Sequence, residues 1–318
     1  MNKTMTSLTS SPLGFGCASI MGKISRSQSL RALHLAHEHG IRHFDVARSY
    51  GFGRAESVLG EFLQGRRDQV TITTKFGVVP PHLGWKTRTL MPVARFVGEH
   101  VPGVASRLRK RSGEVLAQKR FDAAYAQTCL EQSLIELRTD HIDFYMLHEP
   151  SELSESQCHD LTMFMHKMVK AGKIRKWGMA CPPLPDLKLV NVLKPDVVQM
   201  EGHLMNASAF LSLGMDPNEP RFVTRPFCGG LTETVHDEVE RVRPGTLAEI
   251  QSQNLMLSDL AMAVSMKLAG PGGVVIGAMY DPNHIRRNSE CLKQIKQNAH
   301  LMELADQWLK LTAHHKKA

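Results

Sequence analysis

Apolar residues recur along this chain at two spacings, and the two alternate. Short runs rich in β-branched and aromatic residues stand at PLGFGCA, IRHFD, VTITTK, IDFYMLH, KIRKWGMA, DVVQME, RFVTRPF and GVVIGA, and they read as strands. Between them the apolar residues fall three or four apart, as in Leu130, Leu134 and Leu137, or Leu257, Leu260, Ala261, Val264 and Leu268. That period is the buried stripe of a helix. Two joints resemble each other, HEHGIRHFD around Gly40 and VKAGKIRKWG around Gly172. In each, a glycine sits where a helix would end in the left-handed region, and a strand follows two residues later.

Eight strands alternating with helices predict a (β/α)8 barrel, a single α/β domain over residues 1–318. The rival is a doubly wound sheet, which ordinarily carries a glycine-rich phosphate loop after its first strand. GCASIMGK imitates such a loop, but five residues separate its glycines and Ile24 stands where Ser or Thr is needed. GFGRAE lacks a third glycine. Neither qualifies. The alternation breaks over residues 78–121, after the third strand, where Pro80, Pro81, Pro92, Pro102 and Trp85 occur. A segment this long reads as an inserted loop over the barrel mouth. Leu301, Leu304, Ala305, Trp308 and Leu309 predict a C-terminal helix on the barrel's outside.

The bulk composition, 42% hydrophobic and 22% charged over 318 residues, is that of a soluble globular chain. No run approaches the roughly 18 apolar residues of a membrane span, and MNKTMTSLTSSPLG lacks the apolar stretch of a secretory signal. Six scattered cysteines without a CxxC pair are expected to be free thiols in a reducing cytoplasm, with no metal site. The net charge of +8 is uneven: residues 86–120 hold nine Lys/Arg and two Asp/Glu, which is +7. Such a segment could attract DNA or anionic membrane non-specifically. On a nearly neutral body it reads instead as a solvated loop, with no specific nucleic-acid partner.

The candidate chemistry stands at the strand ends. The second strand ends in Asp45, the third in Lys75 and the fourth in His148, while Tyr50 lies in the loop after the second. Singly, these are a cap, a solvated end and a structural histidine. In a barrel, consecutive strand ends share one rim, so the four converge. A free phenol has a pKa of ~10. A nearby ammonium is expected to lower it, and a carboxylate to keep that ammonium charged. Histidine can donate to an oxygen that gains negative charge. The set would protonate a carbonyl oxygen during hydride reduction, with the hydride coming from a cofactor.

FDVARSYGFGRAESVLGEFL, VTITTKFG, IDFYMLH, AGKIRKWGMA and VVIGAMYDPNHIRRN together resemble the aldo-keto reductases, from about Leu13 to Leu292. The resemblance implies that Asp45, Tyr50, Lys75 and His148 are the catalytic tetrad, with Tyr50 the general acid. It implies a nicotinamide cofactor, NADP(H) favoured over NAD(H), and a small aldehyde or ketone as substrate. It also implies cofactor contacts at Gln199, Thr224, Arg225, Gly277, His284, Arg287 and Asn288. Asp281 and Pro282 predict the start of the helix whose N-terminus would face the cofactor phosphates. Phe52, Trp85 and Phe227 are candidates for the substrate wall. The sequence departs from the family pattern at Ala180 and Cys181, where Ser-Asn is usual, and at Thr224, where a stacking tyrosine is usual. Those departures leave an alternative: a nucleotide-binding regulatory or redox-sensing subunit with little turnover.

Overall fold

In the computed structural model, the described residues are 9, 11–80, 118–182 and 187–314. Eight strands form within them: β1 (Leu13–Gly16), β2 (His43–Asp45), β3 (Thr71–Phe76), β4 (Ile142–His148), β5 (Ile174–Ala180), β6 (Val197–Glu201), β7 (Phe222–Thr224) and β8 (Val274–Gly277). Each lies inside one of the eight predicted runs, except that β3 runs one residue past VTITTK to Phe76. Every neighbouring pair is parallel, and β8 pairs with β1, so the sheet closes in sequence order. The fold is the expected (β/α)8 barrel.

Strands in a closed parallel barrel are buried on both faces, and side chains alternate between them. On β4, Phe144 and Met146 point into the barrel, where they join Ala180, Val197, Phe222, Val274 and Ile276. Tyr145 and Leu147 point outward into the layer shared with the helices. The same alternation puts His43, Thr73 and Phe144 on the barrel floor, with His43 bonded to Thr71 Oγ1 (3.0 Å) and Thr73 Oγ1 (3.3 Å). The inward residues two positions further along are Asp45, Lys75 and Met146, and His148 follows on β4. A period of two therefore carries the charged residues to the C-terminal rim.

The helices follow the predicted stripes. Gly40 and Gly172 end theirs at φ +85° and +71°, as the repeated joint suggested. The final helix, Ala299–His314, packs on the helix Leu257–Ala269 through Leu301, Leu304, Ala305 and Trp308, all buried. β7 is shorter than RFVTRPF predicted, because Arg225 takes φ +58° and turns the chain out of the sheet after Thr224. The base of the inserted segment is pinned: Val79 N donates to Gln118 O and Arg120 N to Gly77 O, both at 2.8 Å. The rest of the insertion, Trp85 included, lies outside the described residues. No described helix is long and apolar enough to cross a membrane, and all six cysteines are free.

Candidate active site

The loop after β2 is held in place before it presents anything. Arg48 N donates to Lys75 O (3.1 Å), and the Arg48 guanidinium pairs with Glu56 (2.5 Å), itself 1% exposed. Glu56 also accepts from Thr74 Oγ1 at 2.6 Å, which ties the following helix to β3. Three successive residues, Gly51, Phe52 and Gly53, adopt φ of +57°, +57° and +80°. At Gly51 a Cβ would stand 2.3 Å from Ile20 O, so both the turn and the close approach require glycine there. The turn folds Tyr50 back over the strand ends.

Lys75 is 1% exposed, and its Nζ donates to Asp45 Oδ1 (2.8 Å), Asp45 Oδ2 (2.7 Å), Val46 O (3.2 Å) and Tyr50 OH (3.5 Å). Burial pulls the lysine's pKa down, but Asp45 and Tyr50 outweigh it and leave the ammonium raised above its ordinary value. The Tyr50 and His148 rings meet edge to face at 5.7 Å. His148 Nδ1 lies 3.5 Å from Ser49 Oγ. Burial first, then the charges of Lys75 and Lys119, lower the His148 pKa to about 3, so the ring is neutral at ordinary pH. The structure thus brings together all four residues that the strand ends singled out.

The expected downward shift of Tyr50 is corrected. Burial raises the phenol above its ordinary pKa, and Asp45 adds to that, against the lowering by Lys75. Loss of hydration outweighs the ammonium because the phenolate would be an anion largely withdrawn from bulk water. Tyr50 is held in its protonated form.

A cavity of about 610 Å³ opens on this group. Asp45, Tyr50 and His148 line one end, and Gln199, Thr224, Arg225, Gly277 and His284 line the remainder. Gln199 Nε2 also donates to Asp45 Oδ1 at 2.9 Å. Phe227 is on the wall, whereas Phe52 is not among the lining residues and is 38% exposed. Asp281 caps the helix Pro282–Gln297 through Asn283 N, as predicted, which puts His284 in its first turn. Arg287 and Asn288 do not line the cavity. Arg287 is ion-paired with the fully buried Asp259, and Asn288 Nδ2 rests on Met279 Sδ at 3.7 Å.

Sequence reasoning passed over two wall features and one neighbour of His148. Glu201 ends β6 on the cavity, accepting from His203 Nε2 (2.9 Å) and Arg225 Nη1 (3.3 Å). The rule that found Asp45, an acid closing a predicted strand, would have found it in DVVQME. Gly229 and Gly230, at φ +85° and +147°, bring bare backbone to the wall. Ser49 carried no signal, since its relation to His148 spans 99 positions.

The wall fits a nicotinamide dinucleotide in its donor set. Asp45 occupies the amide nitrogen of Gln199, which leaves its oxygen for a carboxamide N–H, and the helix start and glycine backbone suit phosphate.

Comparison with known proteins bears on the fold and the family. Aldo-keto reductase YhdN of Bacillus subtilis is 29% identical over 181 residues, covering 55% of this chain and 44% of its own length. Methylglyoxal reductase YeaE of Escherichia coli is 28% identical over 155 residues, 49% of this chain and 39% of its own. The matched stretches therefore span less than half of either relative. An aldo-keto reductase from Klebsiella pneumoniae, solved with NADPH, superposes with a TM-score of 0.63 at 20% identity, covering 94% of this chain and 91% of that one. That likeness shows the fold. The profile of the aldo/keto reductase family matches residues 12–299, nearly the whole barrel, and the chain belongs to that family.

Proposed function

We propose that this protein reduces an aldehyde or ketone to an alcohol, with Tyr50 as the proton donor. One observation carries the reading: a half-buried phenol on the cavity lies 3.5 Å from a buried, carboxylate-held ammonium. A bound nicotinamide cofactor supplies the hydride to the carbonyl carbon. Tyr50 gives its proton to the carbonyl oxygen as charge builds there, and becomes a phenolate. Lys75 is already in place to stabilise that phenolate, so little reorganisation accompanies the transfer. Asp45 keeps Lys75 ionised in surroundings that would otherwise favour the neutral amine. Neutral His148 would orient the carbonyl oxygen by donating from Nε2, the tautomer in which Nδ1 can accept from Ser49. The phenolate regains its proton from water through the open cavity.

Gln199, Thr224, Gly277 and the start of the helix at Pro282 are the surfaces we assign to the cofactor. His284 and Arg225 stand on that wall, and we assign them to the phosphate end of the cofactor, with NADP(H) favoured over NAD(H). Arg287 is not part of that preference, because it does not line the cavity and is held by the buried Asp259. The substrate is a small carbonyl compound, and Phe227 forms part of its apolar wall.

Tyr50→Phe is the test, read as NADPH oxidation against a panel of aldehydes, ketones and quinones. Turnover is expected to fall by about 10²–10⁴-fold, with NADPH affinity, followed by fluorescence quenching, changed little. Unaltered turnover would sink the assignment of Tyr50. Tight NADPH binding by the wild type with no carbonyl reduced would favour the regulatory reading.

A further inference from the structure

The cavity wall and the proton-donating group meet at one contact, between residues 154 positions apart. Gln199 on β6 and Asp45 on β2 are each 4% exposed, and Gln199 Nε2 donates to Asp45 Oδ1 at 2.9 Å. An ionised carboxylate only accepts, so the nitrogen end of the amide must face it. Asp45 therefore divides its charge between two donors, Lys75 on both oxygens and Gln199 on one. The Lys75 ammonium in turn divides its donors between Asp45, Val46 O and the Tyr50 hydroxyl.

We propose that Gln199, besides facing the cavity, is a positioning residue for the proton donor: through Asp45 it sets how far Lys75 is free to serve Tyr50. Remove the Gln199 N–H and the whole carboxylate charge falls on Lys75. The ammonium is drawn toward Asp45 and away from Tyr50, where it favours the phenolate. The carboxylate charge, no longer dispersed, disfavours that phenolate more strongly. Both changes act in one direction, and Tyr50 holds its proton more tightly. In the reductase proposed above, this slows proton transfer even when the cofactor is bound normally. A residue that only filled the wall, or only touched a ligand, would leave the ligand-free phenol unaffected.

The chain has four tyrosines, so fluorotyrosine incorporation gives a 19F spectrum in which Tyr50 is assigned by its loss in Tyr50→Phe. Fluorination lowers the phenol titration into a range the fold tolerates. In ligand-free Gln199→Leu the Tyr50 midpoint is expected to rise by about 0.5 pH unit or more, while those of Tyr125 and Tyr145 stay fixed. Gln199→Met, closer in shape, is expected to do the same and serves if the leucine variant does not fold. A Tyr50 midpoint equal to wild type in the folded variant would overturn the proposal. The measurement uses neither cofactor nor substrate. Unaltered turnover in Tyr50→Phe would therefore defeat the reductase reading without touching this result.

Discussion

Two ion pairs stand at opposite ends of the barrel, Arg67–Asp143 and Lys75–Asp45, and they are built to different plans. At the N-terminal end Asp143 of β4 accepts from Arg67 Nη2 (2.8 Å) and Ile72 N (2.9 Å), with Arg175 3.4 Å away. Arg67 spends its remaining donors on Thr139 Oγ1, Val70 O and His141 O. Every strong contact there is protein to protein, and neither residue lines the barrel-mouth cavity. At the C-terminal end Lys75 is more deeply buried than the partly exposed Arg67, but one lysine donor reaches a phenol that faces a cavity. A saturated pair fastens strands together. A pair with one contact turned toward a cavity is available for chemistry, and this division matches the general separation of stability and catalysis between the two ends of such barrels.

Substituting each cation separates the two roles most sharply. Lys75→Met is expected to lower carbonyl turnover by about 10²–10⁴-fold, whereas Arg67→Met should leave the turnover of folded protein within about twofold of wild type. Comparable losses in steady-state kinetics for both variants would break the distinction. In denaturant unfolding, Arg67→Met is expected to cost about 1–3 kcal/mol, since Asp143 loses its nearer cation but keeps Ile72 N and Arg175.

Acid sharpens the contrast between mouth and floor in a different way. His148 at the mouth and His43 on the floor are both brought down to about 3, by burial first and by Lys75 next. Below pH ~6.5 the unfolded chain binds protons that these folded sites refuse. Stability is therefore complete above that pH and is lost as pH falls toward 3, at about 1.4 kcal/mol per unit for each histidine. His148→Gln should reduce the slope of unfolding free energy against pH by that amount, and His43→Gln by the same. Carbonyl reduction should show no limb from His148 between pH 8 and 5. The smallest effect is expected at Phe52, exposed at the rim with φ +57°. Phe52→Gly should change stability by no more than about 0.5 kcal/mol, because glycine relieves the strained turn while losing little burial. A larger loss on thermal unfolding would mean that the ring supports the Tyr50 loop.

The barrel and the four strand-end residues were legible because their signals are local. A strand buried on both faces writes an uninterrupted apolar run, and the charged residues that close such runs are conspicuous. What escaped depends on contacts between distant segments. Arg287 resembles a ligand for phosphate until Asp259, on another helix, is seen to hold it. The upward shift of Tyr50 was misjudged because a neighbouring lysine can be read from a sequence, while the depth of burial that outweighs it cannot. The end of β7 was placed too late because RPF continues an apolar run, although the backbone at Arg225 had already left the sheet.

The two backbone bonds that close the base of the insertion, Val79 to Gln118 and Arg120 to Gly77, have a consequence for how this protein could change. With both ends fixed side by side, the length of chain between them is almost thermodynamically free: doubling it costs only about 0.6 kcal/mol in closure entropy. The barrel and the group of Asp45, Tyr50, Lys75 and His148 can thus persist while that stretch is lengthened, shortened or exchanged. In evolutionary terms, the pinned base is a grafting point, where new recognition can be tried without renegotiating the scaffold.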